Sequence, residues 1–435
     1  MTRRVSLFLL WIVLGLSSAP AAAQNQLIVR DSLGLGGLQF TCWLLGCSVT
    51  QQIDGPLGQV FLVTTNSVVS QTQFLGTLLA QFGVVDAEPN LTLRVTGTLT
   101  VPSALWDSTP VDYYGTTAWH GYVYQPAATL VRLQDARDAF GVTGSGVVAV
   151  IDTGVDPTHP ALQSVLLQGY DFTRNRQQGS ELADVNQSSM AVMDGAYPAQ
   201  VNQSSMAVMD QEGIDYVSQS QYADFGHGTM VAGIVHLVAP TAAILPLKAF
   251  RADGTGYLSD VLRAVYYAAH HDANVVNMSF DFTTFSRELK RAVDYATDRG
   301  VVAVASAGND GEQVVVYPAG LSDVIGVAST SNDDTLSSFS NYGQPPVWVG
   351  APGEGVVTTY PFGTYAAGWG TSFSAPLVAG TVALLRDIDS NVEQQSASRA
   401  IAHAQTVSCS ASSACGYGRL DAYRAVAAWA NRVAQ

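Results

Sequence analysis

The chain has 435 residues, of which 47% are hydrophobic and 13% charged, and its formal net charge is −15. This composition is apolar enough for a large buried core, and it argues against general disorder. The acidic balance argues against nucleic-acid binding, because phosphate contacts require lysine and arginine.

The first residues have the pattern of a secretory signal peptide. Arg3 and Arg4 form a basic start, residues 5–16 are almost wholly apolar, and Ala21–Ala23 supply an A-x-A cleavage site. The apolar run is shorter than the roughly 20 residues that span a bilayer, which disfavours the alternative of a membrane anchor. We therefore predict a signal over residues 1–23 and a secreted protein, extracellular or periplasmic, that has no membrane attachment once the signal is removed.

The four cysteines form two close-spaced couples, one near each end of the chain: Cys42 with Cys47, and Cys409 with Cys415. In an exported protein this spacing predicts two small disulfide loops. A four-cysteine metal site is the alternative, but neither couple has the C-x-x-C spacing typical of such sites.

Residues 24–95 have the pattern of a small separate α+β unit. Val60–Val63 is predicted to be a strand, and Gln71–Phe82 has the apolar spacing of a helix. Residues 96–126 are rich in Thr, Gly, Tyr and Pro, which is typical of a linker.

Strand and helix patterns alternate from residue 127 to residue 430, which predicts an α/β fold with a mainly parallel sheet flanked by helices. The predicted strands are Val147–Ile151, Ala243–Leu247, Val275–Met278, Val301–Ala305 and Val324–Val327, and the predicted helices are Leu258–His270 and Phe285–Asp298. Residues 172–222 interrupt this rhythm. They are polar, and Val185–Asp194 is repeated letter for letter as Val201–Asp210. We interpret the segment as a surface insert, and contact with substrate remains an alternative.

Three polar residues stand where a parallel sheet presents reactive groups. Asp152 directly follows a buried strand, His227 lies between glycines before a helix, and Ser372 lies at the start of an apolar helix. Each has a structural alternative, because aspartate is common in turns and serine is common at helix starts.

Taken together, the motifs resemble those of the subtilisin-like serine peptidases, also called subtilases or peptidase family S8. Asp152-Thr153-Gly154, His227-Gly228-Thr229 and Gly370-Thr371-Ser372 occur in the order of that family, which also has the motif seen here as Ser306-Ala307-Gly308-Asn309. The likeness covers about residues 128–430.

The resemblance implies roles for these residues. Ser372 would attack the scissile carbonyl, His227 would act as general base, and Asp152 would orient His227. The Asn309 side chain and the Ser372 backbone N–H would bind the oxyanion. The resemblance also implies that residues 24–95 are a propeptide that assists folding and blocks the cleft. An ordinary accessory domain is the alternative.

The family binds peptides as an added strand beside the segment matched by Met278–Ser279, so Ser279, Phe280 and Asp281 are predicted to contact substrate. The small residues usual in the family after this serine are replaced here by Phe280-Asp281-Phe282. Either Asp281 favours basic or polar side chains at P1, the residue before the cleaved bond, or the aromatic residues narrow the pocket. The predicted substrate site is completed by Gly308, Tyr317 and Pro318.

The resemblance implies a monomer that acts on proteins or peptides and is inhibited by its own propeptide. No cofactor or metal site is predicted, and structural calcium, common in the family, is left open. Two other functions remain as alternatives. One is an inactive relative whose cleft is closed by the insert or by Phe280-Asp281. The other is an esterase, against which the absence of G-x-S-x-G around Ser372 argues.

Overall fold

The computed structural model describes residues 26–65, 70–90, 92–93, 102–185, 206–209, 224–405 and 414–434. The predicted signal over residues 1–23 lies outside these residues, as do Cys409 and most of the repeated insert. Within the described part of the chain, the longest apolar helices all fall short of a membrane span.

The N-terminal unit is a four-stranded antiparallel sheet with two helices on one face. Its strands, in the spatial order β2-β3-β1-β4, and its helices are β1 Gln26–Asp31, α1 Gly34–Leu45, β2 Cys47–Gln52, β3 Val60–Thr65, α2 Gln71–Leu79 and β4 Val84–Pro89. Side chains alternate along each strand. Leu27 and Phe61 therefore pack under the helices of the unit, whereas Ile28 and Leu62 on the opposite face join the core of the larger domain.

The larger domain is built on an eight-stranded sheet with the order β10-β9-β12-β8-β14-β15-β16-β17. Its strands are β8 Val147–Asp152, β9 Tyr170–Asp171, β10 Arg176–Gln177, β12 Ala243–Lys248, β14 Val275–Met278, β15 Val302–Ser306, β16 Ile325–Thr330 and β17 Val349–Pro352. All neighbouring pairs are parallel except β9 with β10. The central strands are continuous apolar runs because helices cover both faces.

Helices form a layer on each side of this sheet. The helices of the domain are α3 His120–Val123, α4 Pro126–Leu130, α5 Leu133–Phe140, α6 His227–Val238, α7 Leu258–His270, α8 Arg287–Thr297, α9 Thr371–Ile388, α10 Gln394–Ile401 and α11 Ala422–Val433. Helices α7 and α8 cover the face that also meets the N-terminal unit, and α5, α6, α9, α10 and α11 cover the other. The predicted three-layer α/β fold is confirmed.

Smaller sheets complete the structure. Their strands are β5 Thr92–Leu93, β6 Pro110–Tyr113, β7 Thr116–Trp119, β11 Met206–Met209, β13 Gly256–Tyr257, β18 Val356–Tyr360 and β19 Thr364–Trp369. β11, β19 and β18 form one sheet, β6 and β7 form a hairpin, and β5 from the N-terminal unit pairs with β13 of the larger domain.

Residues 102–126 differ from the irregular linker predicted for this stretch. They contain a short 3-10 helix at Ser103–Trp106, the β6–β7 hairpin and α3. Tyr113 and Ala118 of the hairpin are buried in the core of the larger domain. The strands of this hairpin have only four residues each and are joined by a two-residue turn. Such short elements are too short for the alternation of apolar and polar residues to identify them in the sequence.

The beginning of the predicted surface insert also belongs to the fold. Phe172, Glu181 and Val185 are buried, and a 3-10 helix spans Glu181–Ala183. Among the repeat residues, Met206–Met209 of the second copy form β11, which pairs antiparallel with β19.

The disulfide predicted between Cys42 and Cys47 is present. It closes a small loop at the point where α1 ends and β2 begins. Cys415 is also disulfide-bonded, and its predicted partner, Cys409, lies outside the described residues.

Candidate active site

Three adjacent strands of the sheet bring the predicted polar residues to one edge. Asp152 is the last residue of β8, Ser279 directly follows β14, and Asn309 lies shortly after β15. β14 lies between β8 and β15, and all three are parallel. Their carboxyl ends therefore lie side by side, which is where open α/β sheets form their sites.

His227 and Asp152 form a buried pair at this edge. Nδ1 of His227, the first residue of α6, lies 2.7 Å from Oδ1 of Asp152, and only 8% and 3% of the two side chains are exposed. Burial alone would lower the pKa of His227, but the charge and hydrogen bond of Asp152 outweigh it and raise the pKa. The backbone N–H of Thr153 donates to the same Oδ1 at 2.7 Å and fixes the carboxylate.

Ser372 is the second residue of α9 and is held by reciprocal hydrogen bonds with Ser279. Its Oγ donates to the Ser279 carbonyl at 3.1 Å, and the Ser279 hydroxyl donates to the Ser372 carbonyl at 2.9 Å. The second bond has a clear origin. Pro376 lies four residues further along the helix and has no N–H, so the Ser372 carbonyl lacks its usual helical donor and accepts from Ser279 instead.

Asn309 is tied to the start of the same helix. Its Oδ1 accepts from the Thr371 backbone N–H at 2.8 Å and from the Thr371 hydroxyl at 3.1 Å. These bonds fix which end of the amide faces the helix. Within the described residues its Nδ2 group makes no hydrogen bond, so this donor is available to an acceptor in the cleft.

Phe373, the residue after Ser372, packs against the imidazole of His227. The ring centroids are 5.7 Å apart in an edge-on arrangement, and Phe373 is fully buried. The ring also fills the space beside Gly368, where a β-carbon would lie 2.4 Å from it. A large rigid side chain at this position therefore depends on glycine in β19.

Glu181, which sequence analysis did not single out, is a buried carboxylate beneath the loop that carries His227. It accepts from the Gly226 N–H at 2.7 Å, from the Thr229 hydroxyl at short distance and from the Thr153 hydroxyl at 3.3 Å. Burial raises the pKa of Glu181 to about 8. A single glutamate in a polar, aperiodic segment gives no sequence signal for such a role.

The segment that carries Glu181 is anchored a second time through Lys248. This lysine is fully buried, and its Nζ donates to Asp184 at 2.7 Å and to the carbonyls of Thr153 and Phe250 at 2.6 Å each. Three acceptors satisfy the three donors of the ammonium group. The segment therefore joins the Asp152 loop and the His227 loop into one rigid structure.

The predicted substrate residues lie next to this arrangement. Phe280 and Phe282 are both buried in the core under the sheet, and Asp281 between them is partly exposed. A β-carbon built on Gly308 would lie 3.4 Å from Cγ of Asp281. The backbone of Phe282 pairs with that of Tyr317, which is followed by the buried Pro318.

No cluster of metal-ligating side chains occurs within the described residues. Asp387, in a run with some likeness to a calcium loop, accepts from the backbone N–H groups of Thr143 and Gly144 at 2.6 Å each. Its carboxylate therefore has a structural role in joining α9 to the loop that leads into β8.

Comparison with known proteins agrees with this geometry. Residues 144–418 match the model of the subtilase family, peptidase S8. The chain belongs to the subtilase family. This subtilase is 34% identical over 327 residues to a thermophilic serine proteinase from Bacillus sp. strain AK1, over 74% of this chain and 70% of that protein. It is 34% identical over 297 residues to thermitase from Thermoactinomyces vulgaris, over 65% of this chain and 89% of that protein.

Among solved structures, the subtilase is similar to fervidolysin from Fervidobacterium pennivorans, described as a keratinolytic enzyme related to subtilisin. The TM-score is 0.70 at 22% identity, over 93% of this chain. The chain spans 61% of that protein, less than two thirds, and at this identity the likeness shows the fold alone. The family match and the relatives confirm the prediction of a subtilisin-like serine endopeptidase.

Proposed function

We propose that this subtilase is a secreted endopeptidase that cleaves peptide bonds through an acyl-enzyme intermediate, with Asp152, His227 and Ser372 as its catalytic triad. The observation that carries the proposal is the buried contact of 2.7 Å between His227 Nδ1 and Asp152 Oδ1. It lies at the same sheet edge as a serine on a helix N-terminus. Secretion is supported by the N-terminal sequence pattern alone.

The surroundings of each triad residue favour the role proposed for it in catalysis. His227 takes the proton of Ser372 Oγ as the serine attacks the substrate carbonyl, and returns it to the leaving amine. Asp152 binds Nδ1, which keeps Nε2 as the basic nitrogen and stabilises the imidazolium. The raised pKa of His227 has the same electrostatic origin. Water then attacks the acyl-enzyme. His227 takes a proton from the water and returns it to Ser372 Oγ as the acyl group leaves as a carboxylic acid.

Asn309 and the Ser372 backbone N–H are proposed to bind the oxyanion that forms during attack. The Asn309 amide is pre-oriented, because its oxygen is held by Thr371 at 2.8 Å. Donors fixed before the reaction need no reorganisation when charge develops. The N-terminal end of α9 adds a favourable dipole at the same point.

The N-terminal unit is proposed to be an inhibitory propeptide. Thr92–Leu93 pair antiparallel with Gly256–Tyr257, an edge on which a peptide substrate would add as a strand. Asn90 Oδ1 accepts from the Ser259 N–H at 3.0 Å, at the first turn of α7. The unit therefore occupies one side of the cleft while it is bound to the helix beside it.

A second set of contacts joins the unit to α8. Glu88 accepts from the Ser286 hydroxyl and from the Arg287 N–H, at the first turn of this helix. Arg30 pairs with Glu288 at 2.8 Å. This second anchor supports tight docking of the unit before its removal.

The proposal is tested with the purified full chain and two variants that differ at neighbouring serines of α9. Ser372→Ala is expected to abolish casein cleavage and self-processing, because it removes the nucleophile. Ser374→Ala is the matched control, because its hydroxyl is buried in the same helix and donates to the Ala351 carbonyl at 2.9 Å. It is expected to retain both activities.

The outcomes also separate the alternatives. Casein cleavage that survives in Ser372→Ala would refute the triad. Hydrolysis of simple esters without any peptide hydrolysis by the parent would favour an esterase. No turnover by a folded parent whose N-terminal unit has been removed would indicate an inactive relative.

A further inference from the structure

The acid Asp281 lies between the two chain segments that flank the nucleophile. It is two residues after Ser279, whose carbonyl accepts from Ser372 Oγ. A β-carbon on Gly308, the neighbour of Asn309, would lie 3.4 Å from Cγ of Asp281. Because Asn309 is proposed to bind the carbonyl oxygen of P1, a carboxyl group beside its neighbour Gly308 lies within reach of the P1 side chain.

The direction of the Asp281 side chain follows from what it and its two neighbours contact. Phe280 packs on Phe250, with ring centroids 4.9 Å apart, and Phe282 is buried in the same core. Asp281 is partly exposed, and its Cγ lies 3.4 Å from the position of a β-carbon on Gly308, so its side chain points towards the segment that carries Asn309. Phe282 is thus committed to the core, whereas Phe280 and Phe250 also line a cavity together with His227 and Ser279.

Gly308 allows the segment before Asn309 to lie in close contact with Asp281. This residue has φ of 93°, in the left-handed region that favours glycine. A β-carbon there would also lie 2.4 Å from Nδ2 of Asn341. Both the backbone conformation and the lack of space therefore require glycine at this position, which holds the Asp281 carboxyl group close to the segment that carries Asn309.

The carboxyl group of Asp281 has no compensating partner in the structure. Among the described residues, no donor forms a hydrogen bond or ion pair with it. Burial and the nearby Asp310 raise its pKa to about 7, and Asp310 itself is exposed. A partly buried carboxylate beside a second acid, without a cation, is stabilised by an incoming positive group.

We propose that Asp281, assisted by Asp310, selects substrates with arginine or lysine at P1. The inference rests on the proposed function of the same site, and it names the class of substrate. The ammonium or guanidinium group supplies the cation that the site lacks, and a charge-assisted hydrogen bond to Asp281 fixes the P1 side chain. Acidic side chains at P1 are repelled.

The test uses the self-processed enzyme and peptide phosphonates that label the active serine, with an arginine-like, a phenylalanine-like or a glutamate-like group at P1. A small neutral fluorophosphonate is the reference probe. In the parent at pH 8.5 the arginine-like probe is expected to label on the order of tenfold to a hundredfold faster than the phenylalanine-like probe. In Asp281→Asn this ratio is expected to fall to within a few-fold of one, when the rate of each probe is divided by the rate of the reference probe on the same variant.

Two further variants sharpen the result. Asp281→Ser removes the charge with a different side chain and should behave like Asp281→Asn. Asp310→Asn removes the exposed acid only and should lower the ratio by a smaller factor. A parent that prefers the phenylalanine-like probe, or a ratio unchanged in both Asp281 variants while the reference probe still labels, would overturn the inference. No labelling of the parent by the reference probe would overturn the proposed function, and this inference with it.

Discussion

His236 offers a direct test of how burial sets the acid limit of this fold. It lies on α6, the helix that begins with His227, and it is 1% exposed. Among the residues that the structure describes, neither ring nitrogen has a hydrogen-bond partner, and the ring lies edge-on to Tyr113, at 5.6 Å between centroids. Burial, with smaller contributions from Arg137 and His159, lowers the pKa of His236 to about 4.

The size and sign of the effect follow from this pKa. In the unfolded chain the imidazole takes up a proton near its ordinary pKa of 6.5, whereas in the folded protein it stays neutral until about pH 4. Stability is therefore unaffected above pH 6.5 and is lost as the pH falls towards 4. The full loss is about 3 kcal/mol, and most of it is reached at pH 4.5.

The perturbation is His236→Leu in a Ser372→Ala background, which prevents self-digestion. Unfolding by urea at pH 7.5 and pH 4.5 gives the free energy of unfolding at each pH. We expect the variant to be about as stable as its parent at pH 7.5, because no hydrogen bond is removed. At pH 4.5 it should be more stable by about 2 kcal/mol.

A matched control is provided by His159→Leu. His159 is also buried, but its Nε2 lies 2.9 Å from the Thr364 carbonyl and its Nδ1 accepts from Ala161. Its replacement should therefore lower stability at pH 7.5 as well, by about 1–3 kcal/mol for the acceptor left unpaired. If the free energy of unfolding of His236→Leu falls by as much as that of its parent between pH 7.5 and pH 4.5, protonation of buried His236 does not destabilise the fold.

Two further predictions concern the docking surface and the active-site helix. Burial raises the pKa of Glu88 to about 7 from 4.5, so the bound state favours its protonated form. The N-terminal unit should then bind the larger domain most tightly below pH 4.5. Its binding constant should fall, by about a hundredfold or less, as the pH rises through 7. Gel filtration of the processed complex at pH 5 and pH 8 should show more release at pH 8, and Glu88→Gln should remove the difference. Phe373→Met should make activity sensitive to peroxide, because it places an oxidisable sulfur beside Ser372; equal inactivation rates of variant and parent would contradict this.

Long, strongly patterned elements were predictable from the sequence because one physical signal dominates each of them. The helix Leu258–His270 has the predicted bounds, since its apolar stripe packs on the sheet. The strands that end at Asp152 and Met278 are buried apolar runs, and their parallel pairing places the residues after them at one edge. The ordered motifs added the identity of the residues at that edge.

Features that depend on single contacts distant in sequence were not predictable. Glu181 lies 45 residues from Gly226, whose N–H it accepts, and nothing in its own segment marks it. The reciprocal bonds of Ser279 with Ser372 depend on a carbonyl that Pro376 leaves free, which requires the fold to be known. Phe280 and Asp281 were ambiguous for the same reason, because only the folded structure shows that Phe280 lines a cavity beside His227 and that Asp281 lies next to Gly308.

The pairing of Thr92–Leu93 with Gly256–Tyr257 has a consequence for the timing of activation. Two segments of one chain meet at a local concentration that dilution does not change, typically in the millimolar range for a short connection. For the proposed propeptide, occupation of the cleft is therefore a first-order property of each molecule. After the connection is cut, release becomes a bimolecular equilibrium, and activity appears only where the product of that cut is diluted or destroyed. Such a protein would remain inhibited where it is concentrated and would become active as it is diluted.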